Sequence, residues 1–144
     1  MSAQTFLDTS VLVWVHDNHD ARASERVIER LTDERRSGAP TISSNILGEL
    51  HVALTRVRGR KSKAPLSTRQ EAADAVAAAS TYNVVPVTAK DILEAVRLRD
   101  LHQMSFWDAL NLASAIAHGC SRILTCDAQS APRLEGVIYE NPLE

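Results

Sequence analysis

A chain of 144 residues is long enough to bury a core without disulfide or metal staples, and its length predicts one domain over 1–144. Hydrophobic residues at 44% and charged residues at 24% are ordinary for a globular protein, while aromatics at 4% leave the core to Ala, Leu, Val and Ile. The formal net charge of −2 excludes a globally basic binder, so any nucleic-acid partner has to be met by a local patch.

In chain order, 5–7 reads as a short buried strand and 10–15 as the opening of a helix or a turn. Residues 21–36 carry Ala23, Val27, Ile28 and Leu31 at helical spacing, and Gly38 and Pro40 end that helix. Thr41-Ile42 is a very short strand, and Ser43 or Ser44 can cap a helix running to about residue 56. Between His51 and Gln70 lie Arg56, Arg58, Arg60, Lys61, Lys63 and Arg69 with no acid among them, and Gly59 and Pro65 mark the stretch as an exposed loop. Thr68-x-x-Glu71 and Thr88-x-x-Asp91 are capping boxes for helices reaching about 81 and 101. Between them, 84–87 is strand-like, with Pro86 pointing to a sheet edge or strand end. Ser105 starts the most apolar helix, which stops at Gly119. Residues 123–125 and 137–139 are the last strands. Alternating strands and helices predict a three-layer α/β/α domain with a mainly parallel central sheet.

Cys120 and Cys126 have no adjacent His and read as free thiols of a reducing compartment. No basic leader is visible, Asp8 interrupts the apolar stretch at 6–15, and no run approaches the roughly 20 residues that span a bilayer. These features predict a cytoplasmic protein with no membrane partner.

Asp8, Glu49, Asp108 and Asp127 each follow a strand-like run or lie in the first turns of a helix. In a parallel α/β sheet those positions meet at the carboxyl edge. Each acid also has a local explanation: Asp8 a turn after a strand, Asp108 the third position of a Ser105 capping box, Asp127 a helix cap, Glu49 a solvated helix residue. Together they read differently, because Asp8 and Asp108 sit among apolar neighbours, where a carboxylate needs a partner or a metal. Only Arg122, Arg97 and Arg99 are candidates to pair them. Clustered carboxylates suit Mg²⁺ or Mn²⁺.

These residues carry a family resemblance. The run Phe6-Leu7-Asp8-Thr9-Ser10-Val11-Leu12 resembles the opening motif of PIN domains, the PilT N-terminus nucleases. Ile46-Leu47-Gly48-Glu49-Leu50 resembles their second acidic motif, Phe106-Trp107-Asp108-Ala109-Leu110 the third, and Leu124-Thr125-Cys126-Asp127 the fourth, with Asn141-Pro142 closing the last strand. Many relatives carry a second acid where this chain has Cys126. In size the chain is similar to VapC-type toxins of toxin–antitoxin pairs. The resemblance implies a Mg²⁺- or Mn²⁺-dependent endoribonuclease in which Asp8, Asp108 and Asp127, with Glu49 directly or through water, hold the ion and activate water against an RNA phosphodiester. Thr9, Ser10, Asn111 and Thr125 are candidates to orient those ligands. The resemblance also implies a cognate antitoxin and a homodimer. Arg56, Arg58, Arg60, Lys61 and Lys63 are the candidate RNA contacts, weighed against an ordinary solvated loop.

His16, Asp17, His19 and Asp20 read as a loop leading into a helix, and Trp14 and Trp107 as core or interface packing residues rather than base-stacking ones. Two rival readings stand beside the nuclease: a non-catalytic PIN-like module that binds RNA or a partner, and a Mg²⁺-dependent phosphatase, which would want an acid where Ser10 stands.

Overall fold

The computed structural model describes residues 4–17, 19–56, 64–127 and 133–144. The elements follow in the order β1 (Gln4–Leu7), α1 (Thr9–Val15), α2 (Ala21–Ser37), β2 (Thr41–Ser43), α3 (Ser44–Thr55), α4 (Arg69–Ala79), β3 (Asn83–Val85), α5 (Ala89–His102), α6 (Phe106–Ala117), β4 (Cys120–Leu124), β5 (Arg133–Leu134) and β6 (Val137–Glu140).

The sheet order is β3-β2-β1-β4-β6-β5. Every pairing is parallel except β5 with β6. From β1 the chain steps outward through β2 to β3, then returns across the sheet to β4. Because parallel crossovers are right-handed, the reversal puts α1 to α4 on one face and α5 and α6 on the other. This is the three-layer α/β/α arrangement expected from the alternation of elements. Burial follows from it: consecutive residues Phe6 and Leu7, and Ile123 and Leu124, are all enclosed, as in strands covered on both faces. Small residues let the outer layers approach closely, with Ala72, Ala75 and Ala79 buried on α4 and Ala109, Ala113 and Ala115 on α6.

Local chemistry sets the helix starts. Both predicted boxes form: Thr68 with Glu71 and Thr88 with Asp91 exchange hydrogen bonds in both directions. Asp20 caps α2 by accepting from the Ala23 N–H. Gly119 has φ +71, the left-handed geometry expected of the residue that ends α6. The predicted strand over 84–87 is β3, at the sheet edge, as Pro86 suggested.

Two features were not foreseen. Glu135 (φ 51) and Gly136 (φ 79) make a tight turn that folds β5 back on β6. Glu34, only 7% exposed, accepts from Thr5 (2.9 Å), Arg30 (3.0 Å) and Arg122 (3.2 Å), and both arginines also pair with Glu140. That network ties α2 to β1, β4 and β6. Cys120 is buried and Cys126 half-buried, and both are free thiols. Among the described residues no helix is long and apolar enough to cross a membrane.

Candidate active site

The reversal of strand order falls between β1 and β4, and Asp8 follows one of these strands while Thr125, Cys126 and Asp127 follow the other. Leu7 pairs with Leu124, so the two strand ends lie side by side. A gap opens at such a switch point because the connections leave in opposite directions. Here it is a cleft of ≈ 950 Å³, lined by Asp8, Glu49, Asp108 and Asp127 together. Thr9, Ser10 and Asn111 also line it.

Asp8 occupies the N-cap position of α1, yet its carboxylate makes no capping bond. It accepts instead from Ser10 Oγ (2.7 Å) and Thr125 Oγ1 (2.9 Å) at Oδ2, and from Asn111 Nδ2 (3.0 Å) at Oδ1. Three donors from three segments fix its orientation, which a simple turn residue would not require. The donors are braced in turn: the Cys126 N–H donates to Ser10 Oγ (2.9 Å) and the Asp127 N–H to Thr125 Oγ1 (3.1 Å). Asn141 donates to the Cys126 carbonyl (3.3 Å), so the close of β6 steadies the same loop.

Asp108 lies in the first turn of α6. Ser105 Oγ accepts from its backbone N–H (3.1 Å), but its carboxylate does not return the bond, unlike Glu71 and Asp91 in the two complete boxes. Its side chain is therefore left to the cleft. Glu49 on α3 is half-buried and accepts from Asn45 Nδ2 (2.6 Å).

The electrostatics report crowding. Burial pushes the Glu49 carboxyl above its usual range, the charges of Asp8 and Asp108 push the same way, and the Thr9 hydroxyl opposes them. Asp127 is raised by burial and then by Asp8 and Asp108. The Cys126 thiol is pushed up to about 12, first by burial and then by Asp127 and Asp8, so it stays neutral. None of the arginines considered as partners for the acids reaches them: Arg122 pairs with Glu34 and Glu140, Arg97 with Glu94 and Arg99 with Asp100.

For a divalent cation the donor chemistry fits: hard carboxylate oxygens, plus the Asn111 Oδ1, which is buried and has no hydrogen-bond partner. Spacing is a separate matter. Among the described residues no three of His, Cys, Asp or Glu stand close enough to hold an ion. Mutually repelling carboxylates settle on neutral donors, as Asp8 and Glu49 do here.

Arg56 lines the cleft, whereas Arg58, Arg60, Lys61 and Lys63 lie outside the described residues. Sequence reasoning missed three participants. Asp17, read as a loop residue, is 6% exposed and lines the cleft, its Oδ1 accepting from the His19 N–H (2.8 Å). Asn45 holds Glu49, a pairing that its i, i+4 spacing offered. Trp107 lines the cleft while 55% exposed, which core packing would not leave it.

The sequence model of the PIN domain matches residues 5–135. No curated protein sequence matches the chain. Among solved structures, the chain is similar to VapBC2 from Rickettsia felis bound to a promoter DNA fragment, with TM-score 0.68 and 20% identity over 95% of this chain and 97% of that one. It is similar to DNA-bound VapBC from Salmonella typhimurium, with TM-score 0.68 and 19% identity over 98% and 99% of the two chains. It is also similar to VapC20 from Mycobacterium tuberculosis, a sarcin-ricin loop cleaving toxin, with TM-score 0.63 and 26% identity over 83% and 87%.

Proposed function

The chain belongs to the PIN domain family, and from that premise we propose that it is a metal-dependent endoribonuclease, the toxin of a toxin–antitoxin pair. The observation that carries this reading is the convergence of Asp8, Glu49, Asp108 and Asp127 on one cleft, where burial and mutual repulsion raise Glu49 and Asp127. Such crowding of like charge calls for a counter-charge. Mg²⁺ or Mn²⁺ held by Asp8, Asp108 and Asp127, with Glu49 joining directly or through water, would supply Lewis acidity toward water and a phosphate oxygen.

The chain's own part is positioning. Ser10, Thr125 and Asn111 hold Asp8 so that its carboxylate need not reorganise when substrate arrives. Asn45 holds Glu49. Asp108 projects from a helix N-terminus, where the helix dipole favours a negative charge. Arg56 offers a cation to a neighbouring phosphate.

An antitoxin partner is supported by the VapBC complexes among the similar structures. A homodimer is drawn from the family likeness, and the exposed apolar Leu93, Val96 and Leu101 on α5 and Ile116 on α6 are side chains that a second copy would cover.

The test is purified protein incubated with total RNA in Mg²⁺, in Mn²⁺ and in EDTA, beside Asp108→Ala. Cleavage that needs the ion and Asp108 is the expected result. The rival, a non-catalytic module, draws on the absence of a close-set ligand trio among the described residues. It predicts RNA or partner binding with no cleavage under any ion.

A further inference from the structure

The cleft that carries the acids also carries two indoles, and they differ in kind. Trp14 on α1 is half-buried and packs against the core. Trp107, in the first turn of α6, is 55% exposed. Core packing suits the first; the second is left on the surface, open to an interface or to a ligand.

Trp107 is an ordered surface rather than a loose one. It stands on a helix, and its ring meets the half-buried Phe106 edge-on at 5.0 Å between centroids and 76° between planes. The next residue is Asp108, so the indole is one position from a carboxylate of the candidate site. It shares the cleft lining with the polar Asp8, Ser10, Asn111 and Asp127 and with the apolar Val13, Val52, Leu66 and Val87.

That setting separates two occupants. A protein partner anchored by tryptophan seats it at the centre of an apolar, charge-depleted patch. This cleft is not charge-depleted: Asp8, Asp17, Glu49, Asp108 and Asp127 line it beside the exposed Val52, while the exposed Leu93, Val96 and Leu101 of α5 stand outside it. A nucleotide asks for a different combination: a π-face for its base beside groups that handle its phosphate. Trp107 offers the face, and the acids and Arg56 line the same cleft, where a counter-ion and the guanidinium would meet phosphates.

We propose that Trp107 is a stacking platform for one unpaired RNA base next to the phosphodiester that lies at the acids. This rests on the nuclease reading and adds a selection to it. A base inside a duplex has no free face, so the platform favours single-stranded or looped RNA.

Trp14→Phe leaves Trp107 as the sole tryptophan and makes its fluorescence a direct reporter. In Ca²⁺, a short mixed-sequence single-stranded RNA is expected to quench that emission, and the same strand annealed to its complement is expected to leave it unchanged. Trp107→Ala is expected to raise KM for single-stranded RNA by on the order of tenfold to a hundredfold, with Trp107→Phe close to the parent. Because the ring is largely in solvent, neither substitution should unfold the chain. Unchanged KM in Trp107→Ala, or equal quenching by duplex, overturns the platform and leaves the nuclease reading standing. So does a variant that loses self-association or a protein partner while its RNA kinetics are unaltered. Wild-type protein that neither binds nor cuts RNA in any ion removes both.

Discussion

Replacing Asp8 and Asp108 separately with alanine should give two variants equally dead toward RNA but unequal in stability. Asp108 is exposed and its carboxylate accepts no hydrogen bond from the described residues, so its loss should change stability by no more than about 0.5 kcal/mol. Asp8 accepts from Ser10, Thr125 and Asn111. Two of these donors are nearly enclosed, Thr125 at 7% and Asn111 at 5% exposure. The Asn111 amide loses the partner of its Nδ2, while Ser10 and Thr125 can turn toward each other across 3.4 Å. At about 1 kcal/mol per lost bond, less some relief of repulsion on Glu49 and Asp127, Asp8→Ala should cost roughly 2 kcal/mol. For a chain of this length that is about 4–8 °C in Tm. Asp8→Asn should recover most of it, because an amide oxygen still meets Asn111 and the two hydroxyls can reverse to accept, yet cleavage should stay lost. Thermal and urea denaturation in EDTA, beside an RNA cleavage assay, read both properties. Equal stability of Asp8→Ala and Asp108→Ala would refute the claim that the three donors exist to hold Asp8.

Other outcomes follow from the same geometry. Glu49 and Asp127 have folded-state pKa values above their unfolded ones, so the folded protein holds protons more tightly. In EDTA its stability should therefore rise as pH falls from neutral toward the ordinary carboxylate range, and Glu49→Gln should raise the neutral-pH Tm and flatten that part of the profile; a Tm that only falls with pH in this window would contradict it. Adding Mn²⁺ at neutral pH should raise the Tm of wild type and do so much less for Asp108→Ala, as read by a thermal-shift titration. Arg56→Ala should weaken RNA binding and reduce the salt slope of log K by about 1, whereas an unchanged slope removes Arg56 from the RNA path. Glu34→Ala leaves Arg30 and Arg122 with only Glu140, and should cost on the order of 3 kcal/mol in urea unfolding while specific cleavage by the folded fraction is retained.

How much of this was legible can be argued from particular residues. The capping boxes at Thr68 and Thr88 were readable because both partners lie three residues apart and meet within one turn. The Ser105–Asp108 spacing is the same, yet only half the box forms, and nothing local distinguishes it; the difference lies in what the cleft offers the carboxylate. The hairpin through Glu135 and Gly136 escaped notice because a glycine after a glutamate is a faint turn cue. Asp17 looked like one more loop acid, and its burial beside the others is set by elements remote in sequence. Nothing in the sequence marks Glu34, whose enclosure depends on β1, β4 and β6 arriving together.

By itself the sequence determined the alternation of strands and helices and where most of them start and stop, because periodicity, caps and glycine stops act over a few residues, and it singled out the four acids that the fold brings to one cleft. The tertiary structure alone decided that the strand order reverses between β1 and β4, which brings Asp8 and Asp127 to one edge with Glu49 and Asp108 beside them. It also decided that Asp8 is held by three neutral donors and that one indole is left in water at the cleft. Those outcomes depend on contacts between residues up to 117 positions apart, as between Asp8 and Thr125, and no short-range pattern encodes them.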